Sequence, residues 1–143
     1  MKNEDLTTSA SLTLKNFMSE MHSWESIFFK LRKEQLKHGD DDDSVKTLHK
    51  EKLEKILEKF ALKDKLNFGR LVDMGCTNPP TYDPKQDTLK ILSEKDDTVV
   101  IQSQQNTGLE ATSKFTLILK NNKWMIQKKE ILDHNDKWKK SNL

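Results

Sequence analysis

The chain has 143 residues and a mass of 16.7 kDa, which is the size of one domain. Charged residues make up 34% of it, but 25 Lys and Arg against 23 Asp and Glu leave a net charge of only +2. This near-cancellation argues against a nucleic-acid-binding arm, which needs a strong basic excess. The low mean hydropathy of −0.84 raises the question of disorder, which the periodicity of the apolar residues answers.

The sequence also lacks the marks of membrane insertion and secretion. No apolar run approaches the roughly 18–20 residues that span a bilayer, and residues 1–6 are too polar for a signal peptide. Cys76 is the single cysteine, so neither an intrachain disulfide nor a cysteine metal cage can form. We therefore expect a cytoplasmic protein that contacts no membrane and carries no cofactor.

The first predicted element is a long helix from about Ser9 to Lys37. Its apolar residues recur at steps of three and four, which places them on one helix face. Lys15, Glu20, Glu25 and Lys33 fall mostly off that face, and Gly39 supplies a left-handed residue to end the helix. The apolar stripe consists of Leu14, Phe17, Met18, Met21, Trp24, Phe28 and Leu31.

A second predicted helix runs from about Ser44 to Leu62, directly after the acidic run Asp40, Asp41, Asp42 and Asp43. Asp43 or Ser44 can cap it, because a short side-chain oxygen accepts an unpaired N–H of the first turn. The other aspartates complement the positive end of the helix dipole. The simplest interpretation of the acidic run is a cap and a solvated loop.

The rest of the chain has the pattern of an antiparallel sheet. Residues 63–77 fit a short strand or an irregular turn, since Gly69, Gly75 and Asn78-Pro79-Pro80 interrupt any regular element. Strand-like runs rich in Val, Ile and Thr then alternate with turns, and Asn121-Asn122 is the clearest hairpin signal. The predicted strands begin at Thr88, Thr98, Phe115 and Trp124.

This order predicts an α+β domain, with the N-terminal helices packed on one face of a curved sheet of three or four antiparallel strands. Trp24, Phe28 and Phe60 should meet Phe115 and Trp124 in one core. We predict a single domain over residues 1–143, with only residues 1–9 and 140–143 frayed.

The residues do not predict a catalytic or metal site. No Gly-x-Ser-x-Gly motif is present, and His22, His38, His49 and His134 are interpreted as surface or edge residues. Asp40–Asp43 lacks the alternating ligands and central glycine of a calcium loop. The basic residues Lys128-Lys129 and Lys137–Lys140 are interpreted as a solvated edge and not as a nucleic-acid site.

Several C-terminal motifs resemble one known family. They are Pro79-Pro80-Thr81-Tyr82-Asp83-Pro84 before the first clear strand, the hairpin Lys123-Trp124-Met125-Ile126, and the terminal Lys137-Trp138. Upstream lie a long helix with Trp24-Glu25 and a Lys/Glu-rich helix that ends near Phe60. Together they resemble the NTF2-fold immunity proteins of bacterial polymorphic toxin systems, from about residue 14 to 140.

The resemblance implies an NTF2-like cone and a protein that binds and neutralises a cognate toxin by stoichiometric inhibition, without being an enzyme. If that toxin is a nuclease, its substrate groove is basic, and acidic groups are the natural counterpart. Two sets of residues are then candidates for partner binding. They are Asp40, Asp41, Asp42 and Asp43, followed by Glu94, Asp96 and Asp97.

Two other interpretations stay open. The first is an NTF2-like small-molecule binder or ketosteroid-isomerase-like enzyme, which needs a carboxylate base inside the cone. Glu130 is the one acid well inside a strand run, and Tyr82 is the one tyrosine available to stabilise an oxyanion. An open apolar pocket with a buried carboxylate would favour this alternative, and a cone filled by Trp and Phe would oppose it. The second is a homodimer through the exposed sheet face.

Overall fold

The structure, a computed structural model, describes the backbone of residues 2–39 and 43–143, and the side chains of all of these except 2–8. Helix α1 spans Lys2–His38, which is longer than the predicted Ser9–Lys37. It ends at Gly39, whose φ of 64° confirms the predicted left-handed terminator. The apolar stripe from Leu14 to Phe28 is buried as predicted, while Leu31 at its end is partly exposed.

One prediction about α1 is wrong. Glu25 is among the charged residues expected to fall mostly off the apolar stripe, yet its side chain is fully buried. It follows Met21 by four residues and precedes Phe28 by three, which is the spacing of the buried face itself.

Helix α2 spans Ser44–Phe60 and packs against α1. It stops before the predicted Leu62, because Ala61 turns to an extended conformation and the Leu62 N–H donates to the Ile126 carbonyl at 2.9 Å. Asp43 precedes the helix but makes no side-chain capping bond. Its backbone already has helical angles, φ −76° and ψ −2°, whereas a capping residue is normally extended.

Residues 61–87 connect the helices to the sheet with little regular structure, and a single 3-10 turn, η1, covers Gly69–Leu71. Of the two options for residues 63–77, the irregular one is therefore correct. The buried Asn67 fixes this segment to the sheet, because its Nδ2 donates to the Leu62 carbonyl at 3.0 Å and to the Gln127 carbonyl at 2.9 Å.

The sheet has five antiparallel strands in sequential order, one more than the upper limit predicted from the sequence. The strand missing from the prediction is β5 (Trp138–Ser141), whose lysines hide the alternation of apolar and polar residues typical of a strand. It pairs with β4 (Lys123–Leu132), and Trp138 lies opposite Leu132. Asn121 and Asn122 have φ of 52° and 62°, which confirms the predicted tight hairpin. The strands are β1 Thr88–Glu94, β2 Thr98–Gln104, β3 Thr112–Lys120, β4 Lys123–Leu132 and β5 Trp138–Ser141.

Both helices and one sheet face form a single hydrophobic cluster, which includes the five aromatic residues predicted to meet there. The ring contacts from helix to sheet pass through two other residues, Phe17 and Tyr82, whose ring centroids lie 5.3 Å apart. Tyr82 in turn lies 6.2 Å from Phe115. The predicted α+β fold class is confirmed, and within the described residues no helix is long and apolar enough to cross a bilayer.

Candidate functional site

A buried ion pair positions the segment that borders the sheet. Arg70 Nη2 lies 2.9 Å from Glu25 Oε1, and the two side chains are 8% and 0% exposed. The same Arg70 nitrogen donates to the Gly75 carbonyl at 3.1 Å, and its guanidinium lies over the Trp24 ring. The pair therefore ties α1 to the 3-10 turn and to the chain that follows it.

Glu25 also holds residues 77–82, which we call the strap. The Thr77 and Thr81 N–H groups donate to its carboxylate at 2.7 and 2.9 Å, and both threonine hydroxyls donate to Oε2. Burial alone raises the pKa of Glu25, but the Arg70 charge and these hydrogen bonds outweigh it. The net effect is a pKa below the ordinary value of 4.5.

A cavity of about 340 Å³ lies between the strap, the inner face of the sheet and the loop joining β2 to β3. We call it the sheet cavity. Its walls are mostly apolar, and Pro79, Tyr82, Phe115 and Ile131 contribute to them. Leu109 marks the mouth, since it lines the cavity and is also almost fully exposed to solvent.

Lys129 enters this cavity from β4, which contradicts its interpretation as part of a solvated edge. Its side chain is buried, with the residue 4% exposed, and Nζ donates to the Tyr82 hydroxyl at 2.9 Å. The cause is a β-bulge: Leu117 pairs with Ile126 and Thr116 with Lys128, so Gln127 is an extra residue. Without the bulge, side chains would alternate strictly from the buried Ile126, and Lys129 would point away from the core. The extra residue reverses this direction, so Lys129 points inwards.

Further polar groups line the cavity. Ser103 and Ser113 are buried and lie opposite each other on β2 and β3. Asp87 accepts a hydrogen bond from the Asp83 N–H through Oδ2 at 3.0 Å, while its buried Oδ1 has no partner among the described residues. Burial raises the pKa of Asp87, against the opposing effect of the Asp83 and Asn106 N–H groups.

A groove between the two helices has a different character. It is lined by Trp24, Ile27 and Ile56, with Lys52 and Lys55 among its polar residues. His49 also lines it and is only 2% exposed, so its interpretation as a surface or edge residue is wrong. The His49 ring stacks on Phe28 with centroids 4.9 Å apart, and its carbonyl accepts the Trp24 Nε1–H at 2.8 Å.

Comparison with known proteins assigns the family. The family model described as NTF2 fold immunity protein matches residues 9–142, which is most of the chain. The chain belongs to the NTF2-fold immunity proteins. It is 32% identical over 137 residues to the immunity protein RhsIA of Dickeya dadantii (strain 3937), covering 95% of this chain and 97% of the relative. No solved structure gives a significant match.

This result confirms the resemblance, the NTF2-like fold and the function predicted from them. The chain is an immunity protein, and such a protein binds and neutralises a cognate toxin.

The acidic residues predicted to bind a partner fall into two separate groups in this immunity protein. Asp40, Asp41 and Asp42 lie outside the described residues, and Asp43 is exposed at the start of α2. About 25 Å of helix separates Asp43 from Ala61, which bridges to the sheet at Ile126.

Glu94 is the last residue of β1, Asp96 and Asp97 lie in the turn that leads to β2, and all three are exposed. The Asp97 carbonyl accepts the Leu119 N–H at 2.8 Å, and its carboxylate accepts the Thr98 hydroxyl at 3.2 Å. The turn is thus held against the end of β3. The structure brings these three residues together, but the described contacts do not join them to Asp43.

The residues considered for the enzyme alternative are only partly assembled. Glu130 does not line the sheet cavity; it lies 3.8 Å from Lys114 Nζ and 3.7 Å from Lys128 Nζ. Tyr82 does line it, and its hydroxyl accepts a hydrogen bond from Lys129. The core beside the helices is filled by Phe and Trp rings, whereas the cavity retains a half-buried carboxylate, Asp87.

The remaining histidines are close to their predicted places. His38 and His134 are exposed, and half-buried His22 shares a hydrogen bond of 2.8 Å between Nδ1 and the Tyr82 carbonyl. No cluster of three metal-ligating side chains occurs in the part of the chain that the structure describes.

Proposed function

We propose that this immunity protein acts in the cytoplasm as a stoichiometric inhibitor that covers a surface of its toxin, and not as an enzyme. The observation that carries the proposal is the family match over residues 9–142. The cavity chemistry agrees with it, since within the described residues Asp87 has no hydrogen bond to Lys129 or Tyr82 that would make an acid–base pair.

Titration of toxin activity separates the two modes of action. A stoichiometric inhibitor should remove activity in proportion to its amount and reach completion at about one equivalent. An enzyme that inactivates the toxin would act at a small fraction of an equivalent. Complete loss of toxin activity at one-tenth of an equivalent would therefore overturn the proposal. Co-expression with the toxin, scored by growth and co-purification, gives the corresponding result in cells.

We further propose that the acidic residues Glu94, Asp96 and Asp97, together with Asp40–Asp43, contact a basic surface of the toxin, as expected for a nuclease. Glu94 at the end of β1 and Asp96 and Asp97 in the turn after it are exposed and closely spaced, and Asp97 fixes the turn to β3. Exposed charges of one sign accelerate association with a surface of the opposite sign, and salt weakens this effect.

The test compares two variants that remove the same number of charges. The first carries Glu94→Gln, Asp96→Asn and Asp97→Asn, and the second carries Glu51→Gln, Glu54→Gln and Glu58→Gln on exposed positions of α2. We expect the turn variant to bind the toxin at least tenfold more weakly and with a smaller salt dependence. The α2 variant should bind as the wild type does.

Asp40→Asn, Asp41→Asn, Asp42→Asn and Asp43→Asn, introduced together, test the other acidic group in the same way. Unchanged affinity and unchanged salt dependence would remove the mutated group from the interface. A loss of toxin affinity in the α2 variant alone would indicate that the toxin binds the helices instead.

A homodimer through the outer sheet face stays a prediction. That face carries a charged network in which Glu130 lies near Lys114 and Lys128, and Lys114 Nζ also lies 4.5 Å from the centre of the Trp138 ring. Sedimentation velocity at several concentrations tests it. A sedimentation coefficient that rises with concentration would support the dimer, and a constant monomer value would exclude it.

A further inference from the structure

The ammonium group of Lys129 lacks an anionic partner. Among the described residues its one hydrogen bond goes to the neutral Tyr82 hydroxyl, and Nζ lies 4.7 Å from the centre of the Tyr82 ring and 5.7 Å from that of Phe115. Ring faces attract a cation, but a buried charge is normally also paired with an opposite charge. Lys129 lines the sheet cavity, so an anion inside the cavity can supply that partner.

Two hydroxyl groups, those of Ser103 and Ser113, line the same cavity. Ser113 is on the same strand as Phe115, two residues away, and Phe115 is the cross-strand partner of Lys129. Residues two apart on a strand face the same side at about 7 Å, and cross-strand partners are about 5 Å apart. Ser103 is the partner of Ser113 on β2. Neither hydroxyl has a hydrogen bond to a described residue, although both residues are buried and line the cavity.

The rest of the cavity fits an apolar body. Pro79, Phe115 and Ile131 form its walls, and its volume of about 340 Å³ is at the lower end of the range for small-molecule sites. Asp87 is the other charged residue on its lining, and no ion pair joins it to Lys129. Its unpartnered Oδ1 can accept a hydrogen bond from a donor on the ligand.

We propose that the sheet cavity binds a small organic carboxylate with a ring-sized apolar body, whose carboxylate is held by Lys129 Nζ and the Ser103 and Ser113 hydroxyls. A hydroxyl or N–H on the far side of the ring would donate to Asp87. This is a ligand site beyond the immunity function, and it does not depend on which surface binds the toxin.

Heteronuclear NMR titration tests the proposal with four probes: phenylacetate, 4-hydroxyphenylacetate, the uncharged phenylacetamide, and acetate. We expect phenylacetate to bind at least tenfold more tightly than phenylacetamide, which corresponds to about 1.4 kcal/mol. 4-Hydroxyphenylacetate should bind more tightly still, and acetate should not bind measurably. The largest chemical-shift changes should occur at the backbone amides of residues 103, 113 and 129.

Lys129→Met should abolish the preference for phenylacetate over phenylacetamide while leaving a dispersed spectrum. The matched control is Lys128→Met, which changes the neighbouring lysine outside the cavity and should leave both affinities unchanged. If Lys129→Met does not fold, the double variant Ser103→Ala and Ser113→Ala carries the test, with an expected weakening of phenylacetate binding of at least tenfold.

Three results would overturn the proposal. They are equal affinities for phenylacetate and phenylacetamide, chemical-shift changes centred away from the cavity, or an absence of binding by both aromatic carboxylates at concentrations up to about 10 mM. In each case Lys129 would have only a packing role against Tyr82 and Phe115.

Discussion

Glu25 and Arg70 meet at 2.9 Å inside the protein, where both side chains are almost fully removed from solvent. Every oxygen of the carboxylate is engaged, by the guanidinium or by the Thr77 and Thr81 donors. Breaking such a pair leaves an uncompensated buried charge, which costs far more than an exposed pair is worth. Glu25 is thus the main link between α1 and the strap.

Glu25→Ala should lower the free energy of unfolding by about 3–5 kcal/mol, because it strands the buried Arg70 charge and removes the acceptor of the Thr77 and Thr81 N–H groups. Urea unfolding followed by circular dichroism measures this. The control is Glu20→Ala, which removes the exposed pair with Lys59 and should cost less than about 1 kcal/mol. Similar costs for the two variants would contradict the assignment.

Glu25 should also contribute to acid sensitivity. Its pKa in the folded protein is below the ordinary 4.5, so its stabilising effect is complete above about pH 4.5 and is lost as the pH falls through the lowered value. Glu25→Gln removes the ionisation. We expect the stability difference between wild type and this variant to shrink as the pH is lowered from 7 to 3. The urea unfolding midpoints of both proteins across this pH range test the prediction. A stability difference that stays constant with pH would refute it.

The ring of His49 should stabilise the protein mainly by packing on Phe28. His49→Phe keeps an aromatic ring on Phe28 and removes Nε2, which is buried without a partner among the described residues; it also loses the hydrogen bond of 2.9 Å between Nδ1 and the Val45 carbonyl. Stability should change by less than about 1 kcal/mol, whereas His49→Ala should cost about 2 kcal/mol or more. The exposed His134→Ala serves as the control. A large loss in His49→Phe would show instead that the ring nitrogens are required, including Nδ1 at the Val45 carbonyl.

The hairpin between β3 and β4 should respond to the choice of residue at position 122. Asn122 has a φ of 62°, a conformation that asparagine tolerates, glycine adopts freely and alanine adopts at a cost. Asn122→Gly should raise the free energy of unfolding by about 0.5 kcal/mol, and Asn122→Ala should lower it by about 1 kcal/mol. Asn135→Ala, at a position without positive φ, should have little effect. Equal effects of Gly and Ala would contradict this.

Local patterns predicted the helices and most of the sheet, because the stripe from Leu14 to Phe28 and the Asn121-Asn122 turn are encoded in adjacent residues. The fifth strand was missed because it is short and lysine-rich. It is fixed by a turn in which the Asp133 carboxylate accepts the Asn135 and Lys137 N–H groups at 2.8 and 3.0 Å. Such a turn sets the pairing with β4 without any alternation of apolar residues.

The candidate site was harder to predict, since it depends on register. The bulge at Gln127 brings Lys129 inwards, and a one-residue shift of this kind has no marker in the residue types. Asp87 lies on a loop, and its place in the cavity follows from the tertiary fold. The burial of Glu25 was predictable from the sequence, because the residue lies at helical spacing from the apolar residues of the buried stripe. A charged residue at such a position needs a buried partner.

The way in which Glu25 holds the strap has a consequence for sequence variation. Two of its contacts are with main-chain N–H groups, which every residue except proline provides. The side chains of Thr77 and Thr81 are therefore replaceable while the path of the backbone is kept, and the constraint falls on Glu25. A saturation library scored for folding should accept many amino acids at position 77 or 81 and almost none at position 25. The amino acids of the strap, which borders the sheet cavity, can thus differ between relatives while the fold stays the same.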